Sequence, residues 1–283
     1  MPSRMRLVSL DLDGTLLDSQ KRLSEVNAAA LKRVADQGGF VVPTTGRFFG
    51  MMPESVRNLP FVRYAITCNG AQVYDRLTDQ AVAREEIELD KAVEIMKVLD
   101  GFDIIYDCYR NNWGWMTRSL QEKAPEYAPD EHYLRMVRDF RNPVDELKAH
   151  LLQTRSEGGV QKIMLFVRGG SEAASTLKAI SEAVASKFPD VCITCSTRNN
   201  LEINSAGAHK GNALGKLAEH LGFTLSECMA FGDGRNDITM IKAAGVGVAM
   251  GNAVEDVKRV ADLIAPTNDE DGVARVIDQY FLV

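Results

Sequence analysis

The chain alternates short apolar runs with amphipathic helical segments at both of its ends and loses that rhythm in its middle. Leu7-Val8-Ser9-Leu10 is a compact apolar run of the kind buried on both faces of a parallel sheet. Ser24 offers a helix N-cap, and Val26, Ala30, Leu31 and Val34 follow at spacings that make one apolar stripe. Gly38-Gly39 supplies the left-handed stop that such a helix needs. Phe40-Val41-Val42 restarts a strand, and Tyr64-Ala65-Ile66-Thr67-Cys68 reads as another. In the last third a helix is expected over 210–220, with Leu214, Leu217 and Leu221 aligned. Strands follow at 228–231, 246–249 and 263–265, with helices at 238–244, 254–260 and 273–280. Strand, helix, strand in this order makes βαβ units, so the expected class is α/β with a parallel sheet covered by helices.

The middle is different in texture. A helix at 89–99, strands at 102–108 and 162–167 and a long helix at 171–188 flank a polar, Trp- and Pro-bearing stretch at 110–159 that matches no assigned pattern. This predicts an α+β module inserted into the parallel-sheet domain: core over 1–84 and 197–283, insert over 85–196. The 283 residues suffice for two such domains.

Charge narrows the partners. With 33 Lys+Arg against 39 Asp+Glu, the net charge is −6. No basic stripe is available to displace phosphate counterions, so no nucleic acid is expected, and an anionic membrane surface is equally disfavoured. No run approaches the ~20 apolar residues of a membrane span, and the first apolar run is too short for a signal peptide. Five cysteines (Cys68, Cys108, Cys192, Cys195, Cys228) without an export signal fit reduced thiols and a cytoplasmic protein. Cys192 and Cys195 form a C-x-x-C, but on a strand an offset of three sends the side chains to opposite faces, so neither redox nor zinc chemistry is expected. His132, His150, His209 and His220 show no ligand spacing, and no heptad pattern indicates an oligomeric state.

Chemistry-bearing residues gather at the ends of the expected core strands, where open α/β sheets bind ligands. Asp11-Leu12-Asp13-Gly14-Thr15 puts two carboxylates two residues apart at the first strand end, with Gly14 letting the chain turn away. A capped turn is the bland reading, and the calcium-loop pattern with its late Glu is absent. Pro43-Thr44-Thr45-Gly46-Arg47 follows the second strand. Lys210 opens a helix, where an anion is favoured. Gly232-Asp233-Gly234-Arg235-Asn236-Asp237 sets two acids four apart after a glycine turn, a donor set suited to a hard cation. No G-x-G-x-x-G follows the first strand and no G-x-x-x-x-G-K-[ST] occurs, which removes the dinucleotide-binding dehydrogenase and the P-loop kinase.

In this order the D-L-D-G-T, T-G-R, K-G and G-D-x-x-N-D motifs resemble the haloacid dehalogenase superfamily of phosphohydrolases, and more narrowly its Cof-type branch (subfamily IIB). Cys68-Asn69-Gly70-Ala71, Asn200-Leu201-Glu202-Ile203, Ala249-Met250-Gly251-Asn252-Ala253 and Asp271-Gly272-Val273 are similar to that branch as well. Pro43, where an apolar residue is usual, and Gly234-Arg235 depart from it without altering a catalytic type. The resemblance implies a Rossmann-like core with an inserted α+β cap of the C2B type. It implies Asp11 as nucleophile and Asp13 as general acid and base. Leu12, Thr45, Gly46, Lys210 and Asn236 would hold the phosphoryl group. Mg²⁺ would be bound by Asp11, the main-chain carbonyl of Asp13, and Asp233, with Asp237 in support. Arg47 and Asn69 would face substrate. The implied partner is a small phosphorylated metabolite, with sugar phosphates foremost. A phosphotransferase or phosphomutase of the same superfamily, or a non-catalytic sensor on the same scaffold, is the alternative. The cap is expected to close over the phosphate site. Trp113 and Trp115 are expected to pack within it, although beside Asn111 and Asn112 their faces would also suit a sugar.

Overall fold

The computed structural model describes residues 5–280; residues 1–4, where the expectation about a leader begins, residues 281–283 and the His132 side chain lie outside what is described. The chain divides into two units, one of Met1–Arg84 with Ala208–Val283 and one of Glu85–Gly207.

The first unit is built on a five-stranded sheet in the spatial order Leu263–Ile264, Val246–Ala249, Cys228–Gly232, Leu7–Leu10, Phe40–Pro43, parallel at every pairing. The apolar run at 7–10 lies inside this sheet, and its alternate residues feed opposite faces. Val8 and Leu10 pack with Leu31, Val34 and Ile277, while Leu7 packs with Leu214 and Leu217. That two-sided burial is why the run lacks polar alternation. Leu10 pairs with both Phe231 and Pro43, so these three neighbouring strands end within a residue of one another and release Asp11, Thr44 and Asp233 at one edge. The helix Glu25–Asp36 begins where expected: Ser24 Oγ accepts from the Asn27 amide at 3.0 Å.

Tyr64–Thr67 meets the end of the Phe40–Pro43 strand in parallel through one bridge, Thr44 with Ile66, and the Thr45 amide donates to Ile66 O at 2.9 Å. Along its length it pairs antiparallel with Gln72–Asp75, which pairs in turn with Gln80–Arg84, in a three-stranded sheet. The cause is local. Cys68, Asn69 and Gly70 all take positive φ (52°, 61° and 103°), which reverses the chain at once. A parallel return would need a crossover of a dozen or so residues.

The second unit is a six-stranded sheet ordered Val191–Thr194, Asn200–Ser205, Lys162–Val167, Ile104–Arg110, Trp113–Thr117, Arg141–Val144, antiparallel except at its last pair. Helices Leu89–Leu99, Leu147–Gln153 and Ala173–Lys187 cover one face, burying Tyr106, Cys108, Ile163, Leu165 and Ile203. Because Asn200–Ser205 pairs with Lys162–Val167, this unit ends at Gly207 rather than at 196. The unassigned stretch resolves into elements: Asn111 and Asn112 take the two left-handed positions of a tight hairpin, and helices Arg118–Glu122 and Glu131–Phe140 precede the edge strand at 141–144. Trp115 packs into the apolar cluster, its ring 4.5 Å from that of His150, as expected; Trp113, beside the turn, is exposed instead. Among the described residues no helix is long and apolar enough to cross a membrane.

Candidate active site

The strand ends of the first unit bring the acidic motifs together. Asp11 follows its strand and remains buried, and its carboxylate lies within 4.8 Å of those of Asp233 and Asp237, one oxygen counted from each. Lys210, fully buried at the start of the helix Lys210–His220, places its ammonium 2.6 Å from Asp11 Oδ1 and 2.5 Å from Asp237 Oδ1. Asp237 is occupied on both oxygens, since its Oδ2 accepts from the amides of Asp233 and Gly234 at 2.9 Å each. It therefore fixes the shape of the 233–237 turn and holds Lys210, while Asp11 and Asp233 face the shared space.

Three carboxylates against one ammonium leave this buried cluster negative. Burial pushes the Asp11 carboxyl well above the usual range, and the charges of Asp237 and Asp233 add to that, with Lys210 opposing. Burial and the charge of Asp237 likewise raise Asp233, against a hydrogen bond from Thr15. For Lys210, burial alone would favour the neutral amine, but Asp11 and Asp237 outweigh it and hold the ammonium firmly protonated. Carboxylates that bind protons so readily mark a place where positive charge is missing. All the donors are hard oxygens, so the set fits a hard divalent cation.

Glycines allow these approaches. Gly14 has φ +86°, and a Cβ there would stand 2.5 Å from Asp233 Oδ2. A Cβ on Gly232 would meet the Asp237 Cβ at 2.3 Å.

Asp13 points elsewhere. Its carboxylate meets Arg47 Nη2 at 2.7 Å and Lys21 Nζ at 2.9 Å. Burial pushes its pKa up, but Arg47 and Lys21 more than offset this, and the group is held below the usual carboxylate range. Its side chain is thus apart from the three-carboxylate cluster. Leu12 puts its side chain wholly into the core, so only its main chain is available to a ligand. Thr45 is buried, with Oγ1 accepting from the Arg47 amide at 3.2 Å. Asn236 is exposed and donates through Nδ2 to Asn69 Oδ1 at 3.4 Å. The left-handed turn at 68–70 ties these pieces together. The Cys68 amide donates to Arg47 O and the Asn69 amide to Thr45 O, while a Cβ on Gly70 would lie 2.5 Å from the His209 carbonyl. A Cβ on Gly46 would stand 2.8 Å from Asn69 Oδ1, so glycine there makes room for that side chain.

Four residues belong to this arrangement that the sequence reading gave no role. Thr15 Oγ1 donates to Asp233 Oδ1 at 2.9 Å. Asn252 Nδ2 holds the Gly14 carbonyl at 2.8 Å. Lys21 pairs with Asp13. His209 caps its helix, Nδ1 accepting from the Asn212 amide at 3.0 Å. Thr15 and Asn252 lie within motifs quoted for the resemblance; Lys21 carries no motif signal.

Comparison with known proteins gives the chain a family. Residues 8–277 match the model of the haloacid dehalogenase-like hydrolase family. The 5-amino-6-(5-phospho-D-ribitylamino)uracil phosphatase YcsE of Bacillus subtilis (strain 168) is 32% identical over 98% of this chain and 96% of its own. The HMP-PP phosphatase of Serratia proteamaculans (strain 568) is 31% identical over 89% of this chain and 86% of its own. Among solved structures, a haloacid dehalogenase-like hydrolase from Bacteroides thetaiotaomicron superposes with a TM-score of 0.80 at 27% identity, covering 98% of this chain and 99% of that one. The resemblance read from the motifs and the α/β class are thereby borne out, and the chain belongs to the haloacid dehalogenase-like hydrolase family as an enzyme whose full-length relatives include phosphatases.

Proposed function

We propose that this hydrolase is a Mg²⁺-dependent phosphatase that cleaves small phosphorylated metabolites, sugar phosphates among them, through an aspartyl-phosphate. The observation that carries the reading is the buried cluster of Asp11, Asp233 and Asp237 around Lys210, negative overall and walled by hard oxygen donors. Mg²⁺ held by Asp11, Asp233 and the main-chain carbonyl of Asp13, with Asp237 in support, would screen a carboxylate nucleophile from an anionic phosphate and stabilise charge in the transition state.

The chain's own residues supply the remaining steps. Asp11 attacks phosphorus as the bond to the leaving oxygen breaks. Lys210, locked between Asp11 and Asp237, orients the nucleophile and binds phosphoryl oxygens with Thr45, Asn236 and the main chain of Leu12 and Gly46. Asp13 protonates the leaving oxygen, then takes a proton from the water that attacks the aspartyl-phosphate and frees inorganic phosphate. Arg47 and Lys21 hold Asp13 as a carboxylate, the form needed for that second transfer, and their joint hold must loosen for the first. The relatives named above differ in substrate, which supports a class of small phosphorylated metabolites rather than one compound.

The test is release of inorganic phosphate from p-nitrophenyl phosphate and a panel of sugar phosphates, with and without Mg²⁺. Mg²⁺-dependent release is expected, and Asp11→Asn should abolish it, a loss of about 10³-fold or more, with the fold intact by circular dichroism. Retained Mg²⁺-dependent turnover in Asp11→Asn contradicts the mechanism. Transfer of the phosphoryl group to a second sugar hydroxyl in place of phosphate release would make the enzyme a transferase.

A further inference from the structure

Lys21 lies outside every motif, yet the fold holds it against the site. It sits at φ 62°, uncommon for a residue with a Cβ, in a turn whose conformation is over-determined. The Asp18 amide donates to Arg22 O and the Lys21 amide to Asp18 O, both at 2.9 Å. The Asp18 carboxylate accepts from the amides of Gln20 and Arg22 at 2.9 and 2.8 Å. So anchored, the turn delivers the Lys21 ammonium to Asp13 Oδ1 at 2.9 Å, while Arg47 Nη2 meets Oδ2 of the same carboxylate at 2.7 Å. One carboxylate thus carries two cations. The two contacts are unequal. Arg47 contributes three hydrogen bonds and its side chain is 20% exposed, whereas Lys21 contributes a single pair at 52% exposure. An exposed single pair of this kind contributes little and exchanges readily.

Resting on the phosphatase reading, we propose that Lys21 is a specificity-determining residue that selects phosphoesters whose leaving group carries a second anion close to the ester oxygen, such as an adjacent carboxylate or phosphoryl group. Asp13 must come within hydrogen-bond reach of the leaving oxygen to protonate it, about 3 Å. A cation 2.9 Å from Asp13 Oδ1 is therefore within about 6 Å of that oxygen, where a substituent one or two bonds away lies. Such an anion takes Lys21 from Asp13, replacing an exposed charge pair by another of the same sign and leaving Arg47 to orient the carboxylate. A neutral leaving group offers Lys21 nothing in exchange.

The experiment compares kcat/KM of the Mg²⁺-loaded protein for 2-phosphoglycolate and ethyl phosphate, which share a two-carbon frame and differ by one carboxylate. Wild type is expected to favour 2-phosphoglycolate by about tenfold, the scale of one hydrogen bond to a charged group. Lys21→Gln should collapse most of that ratio, chiefly through KM for 2-phosphoglycolate, and Lys21→Arg should keep it. Raising the salt concentration should erode the preference in wild type and leave the Lys21→Gln ratio flat, a response that a structural role would not produce. Lys32→Gln, on an exposed helical lysine paired with Asp36, controls for loss of a surface charge and should leave the ratio unchanged. A wild-type ratio near one, or equal losses on both esters in Lys21→Gln, overturns the proposal while leaving the phosphatase reading standing. Absence of turnover for these esters and for the panel above overturns both.

Discussion

Both units bury charge, but only one gathers carboxylates in excess of the base they share, whereas the extra buried cation of the other, Arg110, is met by the Thr154 and Gly158 carbonyls. In the unit of Glu85–Gly207, Asp107 pairs with Arg141 and Lys162 with Glu202, each at 2.9 Å, one acid to one base. In the other, Lys210 stands among the carboxylates of Asp11, Asp233 and Asp237. Pairs of the first kind match each acid to a base, although Asp107 keeps one buried oxygen without a hydrogen bond. The second kind is tolerable only if protons or a cation make up the difference. Burial alone would have drawn attention to both places; the charge count separates a structural network from a site.

The comparison is broken most severely by removing the two buried lysines in turn. Lys210→Met and Lys162→Met should each destabilise by about 3–5 kcal/mol in urea melts, because each leaves acids buried without their base. They part in their response to metal: measured against wild type at the same Mg²⁺ concentration, the deficit of Lys210→Met should shrink when Mg²⁺ is added, while that of Lys162→Met should stay as it was. Equal rescue would mean that the charge count does not distinguish the two networks. For the unaltered protein stripped by chelator, Mg²⁺ at a hundred times its Kd should stabilise by about 2.7 kcal/mol, seen as a rise in Tm, and Asp233→Asn should abolish that rise. Gly14→Ala comes next, with a cost of about 1–2 kcal/mol for its left-handed conformation and weakened Mg²⁺ binding, because the new Cβ displaces Asp233. Smallest is the double replacement Cys192→Ser with Cys195→Ser on exposed positions, which should change stability by no more than about 0.5 kcal/mol and leave zinc content at background by elemental analysis.

Local signals carried far in one unit and less far in the other. Helices at 25–36 and 210–220 and the strands at 7–10, 40–43, 228–232 and 246–249 were legible because apolar runs, caps and glycine stops act within a few residues of themselves. Apolar content marked Tyr64–Thr67 as a strand but could not show the antiparallel return of Gln72–Asp75, which three left-handed residues between them impose. The strand Asn200–Ser205 was placed in the wrong unit because its pairing partner lies far off in sequence. Within the site, residue types and spacing named Asp11, Asp13, Asp233 and Lys210. Nothing local could say that the Asp13 side chain turns to Lys21 and Arg47, or that Asp237 spends both oxygens on the turn and on Lys210.

By itself, the amino-acid sequence determined the α/β class, the interruption of the core by a second unit and the set of acids and lysine to which the proposed chemistry is assigned. Each of these depends on short-range periodicity or on which functional groups are present. Tertiary structure decided which of those groups share a space, which cation each acid meets and where charge is left over. Such facts rest on distances between residues remote in the chain, such as Lys210 and Asp11, and a distance of that kind exists only once the sheet has closed around them.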